Sequence, residues 1–282
     1  MSTSARTFKD YSFGDHADVY RIIEQVCSEF HIHYYLIGAN ARDVALYKAG
    51  ETPTRGTADI DFAVMLPDMD GYHSFRIRLK ELGFEDTQGG MPYRLFHKDS
   101  NTAIDLLPYG TIAQKNTVSF TERNVELSTV GMMEVGAHAE SFEVSPGVSV
   151  PVSPAHGIVI LKLIAWSEKP GRTKDLDDIA SLLNAAWGLY ESELYTENAE
   201  HSDVFEREDF DTEVAGATVM GRKMNDILLP NPTLKQTLCD MVSSDVEKTA
   251  GPISVAIAHA VKKDIAHAHR ILHAILSEIA EA

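Results

Sequence analysis

Three aspartates stand inside stretches that are otherwise apolar. Asp59 and Asp61 alternate with Ala58, Ile60 and Phe62, and Asp105 interrupts Ala103-Ile104-Asp105-Leu106-Leu107. Alternation of that kind is the period of a β-strand, on which residues i and i+2 project from one face. Two carboxylates side by side repel each other unless a cation lies between them. An acid in an apolar strand is costly to bury without a partner. If the Asp105 strand neighbours the Asp59 strand, the three acids converge, and oxygen donors in that number suit a hard divalent cation such as Mg²⁺.

The rest of the first half changes period often, as an α/β fold requires. Val19, Ile22, Ile23, Val26 and Phe30 predict a helix over Asp15 to Phe30. Tyr34 to Ile37 reads as a strand, Ala39 to Lys48 as a helix, and Ile60 to Leu66 as a strand stopped by Pro67. A helix over Tyr72 to Leu82 is closed by Gly83. Tyr93 to His97 and Thr102 to Leu107 read as strands joined by the polar turn Lys98 to Asn101, and Phe142 to Val152 as a hairpin around Pro146-Gly147. After Pro154 the spacing is helical: His156 to Ser167, Lys174 to Trp187 with Thr173 as N-cap, Val214 to Leu228, Thr233 to Val246, and one long helix over Ile253 to Ile279. The 282 residues have room for about two domains. The expected organisation is α/β: a mixed sheet with helices over residues 1–152, then a mostly helical domain over 153–282.

Charge and cysteine content narrow the function classes. With 25 basic and 42 acidic residues the net charge is −17, against a DNA coat or a polybasic membrane binder. Two cysteines make no disulfide framework, and the polar start carries no signal-peptide core, so the expectation is a cytoplasmic protein. Glu191 to Glu213 holds ten acids and one base, 1 − 10 = −9, and reads as a solvated loop or a face for a cationic partner.

Upstream of the acids, Leu36-Ile37-Gly38-Ala39-Asn40-Ala41-Arg42 passes from strand to helix through a glycine. Such a turn lets backbone N–H groups approach a phosphate at a helix N-terminus. A phosphate cradle, a carboxylate pair and a third carboxylate together suit phosphoryl chemistry with two divalent ions.

These residues resemble the nucleotidyltransferase superfamily, with its DNA polymerase β-like fold. The matching elements are Ile37-Gly38-Ala39, Asp59-Ile60-Asp61-Phe62 and Asp105. Arg55-Gly56-Thr57-Ala58-Asp59-Ile60-Asp61 is similar to the R-x-T-x-D-x-D form of AbiEii-type toxins. Lys162, followed by Arg172-Thr173-Lys174-Asp175-Leu176-Asp177-Asp178, resembles a later segment of the same group. The resemblance spans roughly Tyr34 to Leu183. It departs at Ala39, which keeps an N–H but lacks the hydroxyl of a serine, and in the long spacer between Gly38 and Asp59.

The resemblance implies an enzyme that moves a nucleoside monophosphate from a nucleoside triphosphate to a hydroxyl and releases pyrophosphate. Asp59 and Asp61 would hold two Mg²⁺ ions, and Asp105 would share the catalytic ion and take the acceptor's proton. Gly38, Ala39 and Asn40 would cradle the β- and γ-phosphates, with Arg42, Arg55 and Thr57 beside them. Lys162 would reach the nucleotide phosphates, and Lys174 or Asp175 would complete the rim. Simpler readings stand beside these: Lys162 as a snorkelling lysine on a core helix, Asp175 as a helix-start acid, and Arg42 and Arg55 as surface ion-pair partners. The implied acceptor is tRNA, reached through a local basic patch (Arg76, Arg78 and Lys80, or Arg222 and Lys223), in a toxin-like enzyme neutralised by an antitoxin protein. The alternatives are an aminoglycoside-type transferase with a small acceptor and an inactive nucleotide-binding module.

Overall fold

Strand β1 (Tyr34–Ile37) is buried at all four positions, as a strand flanked on both edges must be. The computed structural model describes residues 13, 16–53, 57, 59–195, 200–206 and 209–280. The chain divides into two compact units: the residues up to Val44 with Thr52–Ser153, and Ala45–Glu51 with Pro154–Ala282.

The first unit is α/β. Its helices are α1 (Ala17–Phe30), the start of α2 (Gly38–Lys48), α3 (Met69–Glu81) and the short α4 (Met132–Gly136). Its strands after β1 are β2 (Asp59–Met65), β3 (Phe84–Asp86), β4 (Arg94–His97), β5 (Thr102–Tyr109), β6 (Thr117–Phe120), β7 (Val125–Ser128), β8 (Glu140–Ser145) and β9 (Val148–Val152). Seven of them form one mixed sheet in the order β3-β4-β5-β2-β1-β9-β8, and β6 and β7 pair as a separate ribbon. β2 runs parallel to β5, β1 antiparallel to β2 and parallel to β9.

The pleat of β2 sorts its residues by face. Ile60, Phe62 and Val64 are fully buried, and Phe62 meets Tyr20 of α1 edge-on at 6.0 Å. α1 supplies a buried stripe, Val19, Tyr20, Ile23, Val26 and Cys27. α3 joins it through Phe75 against Phe30. Asp59 and Asp61 alternate with these residues and therefore project from the other face.

The second unit is helical: α5 (Ala155–Glu168), α6 (Thr173–Asn184), α7 (Ala186–Leu194), α8 (Thr212–Leu228), α9 (Pro232–Val246), α10 (Pro252–Val261) and α11 (Ile265–Ala280). Three details differ from the expectation. The stripe from Ile253 to Ile279 is two helices, because Lys262 turns left-handed at φ 56° and Asp264 then caps the next helix, accepting from His267 N–H at 2.9 Å. The helix expected to run to Trp187 breaks at Ala185, and Arg172 rather than Thr173 holds the N-cap position. Third, much of the acidic stretch is paired with cations of this unit. Asp203 takes Arg222, Glu193 takes Lys223, Asp211 and Glu213 share Lys263, and Asp209 takes Arg270.

Asp245, 2% exposed near the end of α9, caps the start of α10. It accepts from Ile253 N–H and Ser254 N–H, both at 2.9 Å, and from the Ser254 hydroxyl at 2.5 Å. Asp245→Ala should therefore cost about 2–3 kcal/mol in urea denaturation, since buried helix-start donors lose their acceptor. A loss within error of zero would deny Asp245 that role.

Candidate active site

Sheet register brings the aspartates to one place. In the parallel β2–β5 pair Asp61 lies opposite Asp105, and Asp59 is two residues along β2 on the same face. In the antiparallel β4–β5 pair Arg94 lies opposite Asp105, so four charged side chains share one face of three adjacent strands. The Arg94 guanidinium grips Asp105 with two bonds, Nε to Oδ1 at 2.6 Å and Nη2 to Oδ2 at 2.8 Å, and Nη2 also donates to Asp59 Oδ2. The other Asp59 oxygen accepts from the Thr57 hydroxyl at 2.9 Å. Asp105 is buried, whereas the Arg94 and Asp59 side chains are each 31% exposed. The hydrogen bond to Asp105 holds the Arg94 pKa further above the ordinary arginine range against the opposing effect of burial, so it stays charged.

Gly38 explains how Asp61 fits. It follows β1 directly, at φ +67°, where α2 begins. A Cβ built on it would lie 2.0 Å from Asp61 Oδ2. The carboxylate thus occupies the space that any side chain at position 38 would fill, at the positive end of a helix. Ala39 and the buried Asn40 form the first turn of α2.

The donor set suits a hard cation: three carboxylates, oxygen only, on a rigid sheet. Their oxygens are not yet gathered around one point, because Arg94 stands between Asp59 and Asp105. Among the described residues, Asp211, Glu213 and His267 do bring ligand atoms within 4.8 Å of one another, but Lys263 already sits on that group, 2.9 Å from Glu213 and 3.3 Å from Asp211.

Arg42 is not at a surface rim: it is buried, with Nε on Asp43 Oδ1 at 2.9 Å. Arg55 lies outside the described residues. Lys162, Lys174 and Asp175 belong to the second unit. There Lys162 Nζ lies 2.8 Å from both Asp175 and Asp178, each of which is only 2% exposed, and Arg172 also holds Asp175, at 2.5 Å. Lys174 is exposed on the first turn of α6.

Both basic patches expected to meet RNA carry their own counter-ions. Arg76 and Lys80 pair with Asp86, Arg78 with Glu29 and Glu81, Arg222 with Asp203 and Glu278, and Lys223 with Glu193.

Arg94 itself was not among the expected site residues. Its signal was present in the hairpin. His97 pairs with Thr102 across the turn, and Arg94 and Asp105 are each three residues further out (97 − 94 = 3; 105 − 102 = 3).

No protein-family profile matches the chain, and no curated protein matches it in sequence. Solved structures that resemble it loosely include the following three. The antibiotic-resistance factor ANT(2'')-Ia shares 11% identity over 82% of this chain and 99% of its own, with a TM-score of 0.35. An antigenic nucleotidyltransferase-like protein from Paracoccidioides brasiliensis shares 14% over 80% and 93%, TM-score 0.39. A CCA-adding enzyme in complex with CTP shares 13% over 93% and 68%, TM-score 0.31.

Proposed function

We propose that the chain is a Mg²⁺-dependent nucleotidyltransferase that moves a nucleoside monophosphate from a nucleoside triphosphate onto a hydroxyl of tRNA, in the manner of a toxin. The observation that carries the reaction class is the in-register convergence of Asp59, Asp61 and Asp105 beside the Gly38 turn. Asp59 and Asp61 would hold two Mg²⁺ ions, with Asp105 on the catalytic one, and the ions would supply charge neutralisation for the attacking and leaving oxygens. Gly38, Ala39 and Asn40, at the start of α2, receive the β- and γ-phosphates through backbone N–H groups. Asp105 takes the proton of the acceptor hydroxyl. The acceptor oxygen forms its bond to the α-phosphorus in line, the bond from that phosphorus to the bridging oxygen breaks, and pyrophosphate leaves with the electron pair.

A small cationic hydroxyl compound of aminoglycoside type is the second reading of the acceptor. It is favoured by the internal pairing of both basic patches and by the net charge of −17. It needs no RNA footprint.

The test is incubation with Mg²⁺ and each α-labelled nucleoside triphosphate, with total tRNA or with aminoglycosides. Label should enter tRNA, and the Asp59→Ala/Asp61→Ala variant should lower the rate by about a thousandfold or more. Label entering only the aminoglycoside would replace the first acceptor by the second. No transfer to either acceptor would remove the proposed reaction.

A further inference from the structure

We propose that Arg94 is a resident counter-ion of the carboxylate site, so that a divalent cation binds there by exchange with the guanidinium rather than by simple addition. The inference rests on the metal-binding reading of Asp59, Asp61 and Asp105.

Four observations carry it. Arg94 reaches the site from the neighbouring strand with register fixed by β4–β5 pairing, so its position is built into the sheet. Its guanidinium bridges Asp59 of β2 and Asp105 of β5, the two strands whose acids a shared cation must join. Asp59 and Asp105 with Arg94 sum to 1 − 2 = −1, so the guanidinium offsets only part of their repulsion, which a divalent ion would offset more fully. Finally, Arg94 lines a cavity of about 1130 Å³ within the first unit, together with Tyr72, Arg76 and Phe120. The side chain is 31% exposed. It has room to leave the carboxylates without repacking the core.

The physical reason for exchange is charge density. A guanidinium spreads one charge over a planar fork and binds carboxylates by directed hydrogen bonds. A divalent cation concentrates twice the charge at one point and demands several oxygens around it. A divalent ion on Asp59 and Asp105 would set two positive charges beside the guanidinium, which repel it from those oxygens. Arg94 thereby keeps the acids on one face when no metal is bound, and it lowers the apparent metal affinity by competing. It acts through the carboxylates and is a positioning residue.

The experiment is Mn²⁺ binding, read from the electron-paramagnetic signal of the free ion, for wild type, Arg94→Gln and Arg94→Lys. Arg94→Gln should bind Mn²⁺ about tenfold more tightly than wild type, with Arg94→Lys between them. A second reading uses wild type alone: the Arg94 Nε–H resonance should shift on Mg²⁺ addition with the midpoint of Mg²⁺ competition against Mn²⁺. A guanidinium with a merely structural role predicts weaker binding in the variants and a resonance that does not move. Equal or weaker affinity in Arg94→Gln, with wild type binding normally, overturns the exchange and leaves the metal site standing. An unmoved Nε–H resonance at saturating Mg²⁺ does the same, and it decides the matter if Arg94→Gln fails to fold. If neither wild type nor any folded variant binds Mn²⁺, the metal reading falls and takes the exchange with it.

Discussion

Gly38→Ala should reduce nucleotidyl transfer by about a hundredfold while leaving a folded protein. A methyl group there would sit 2.0 Å from Asp61 Oδ2, 2.9 Å from Cγ and 3.1 Å from Cβ. The carboxylate must swing away, and a displacement on the order of 1 Å at a reacting centre can cost about that factor. The backbone adds its own strain, since φ is +67° and an L-residue in that region costs about 1–2 kcal/mol. Gly50→Ala separates the two effects. Gly50 has φ +76°, with nothing within 4 Å of the added carbon. It should show the stability loss in urea denaturation and keep its activity. Equal activity in the two variants would mean that Asp61 is not needed where it lies.

Lys162→Met should be the most destabilising single change in the second unit, costing about 3 kcal/mol or more. Nζ lies 2.8 Å from both Asp175 and Asp178, whose side chains are 2% exposed. Taking the ammonium from between two buried carboxylates restores their mutual repulsion and leaves Arg172 to hold Asp175 without it. Adding Asp178→Leu should restore much of the loss, because the double variant buries one charge fewer. The measurement is the unfolding transition of the second unit, followed separately because a two-unit chain need not unfold in one step. The pairing supports a structural part for Lys162. Its activity loss per folded molecule should then be small; a large loss with intact stability would return Lys162 to the nucleotide phosphates.

The elements that position the aspartates were legible in the sequence because each is short, apolar and punctuated. Tyr34–Ile37 ends at Gly38, β2 ends before Pro67, and the Lys98 to Asn101 turn separates β4 from β5. The three acids were legible in the same pattern, since an aspartate inside Ala-Ile-x-Leu-Leu needs a partner to be buried. Other features were hidden for definable reasons. β3 has only three residues, too few to show a period, and β6 and β7 form a ribbon with no long apolar run. The break at Lys262 is a single left-handed residue inside an uninterrupted apolar stripe, so hydrophobic spacing passes over it. The acidic stretch looked solvated because its partners come later in the chain: Arg222 and Lys223 on α8, Lys263 in the turn after α10, and Arg270 on α11. Arg94 was hidden because a polar residue at a strand start is ordinary until its cross-strand neighbour is known.

The pairing of β1 with β9 bears on how the first unit is made. Leu36 lies opposite Val152 in parallel register, 152 − 36 = 116 positions later, and the Ser153 N–H reaches the Leu36 carbonyl at 2.9 Å. A chain emerging from the ribosome has delivered Asp59, Asp61, Arg94 and Asp105 well before it delivers the strand that closes β1. Until then β1 presents an open edge, the kind of surface on which nascent chains pair wrongly with one another. Long-range parallel closure is also slow. A stop codon or proteolytic cut shortly before Val148 would thus leave Asp59, Asp61 and Asp105 present and still give a chain prone to aggregate.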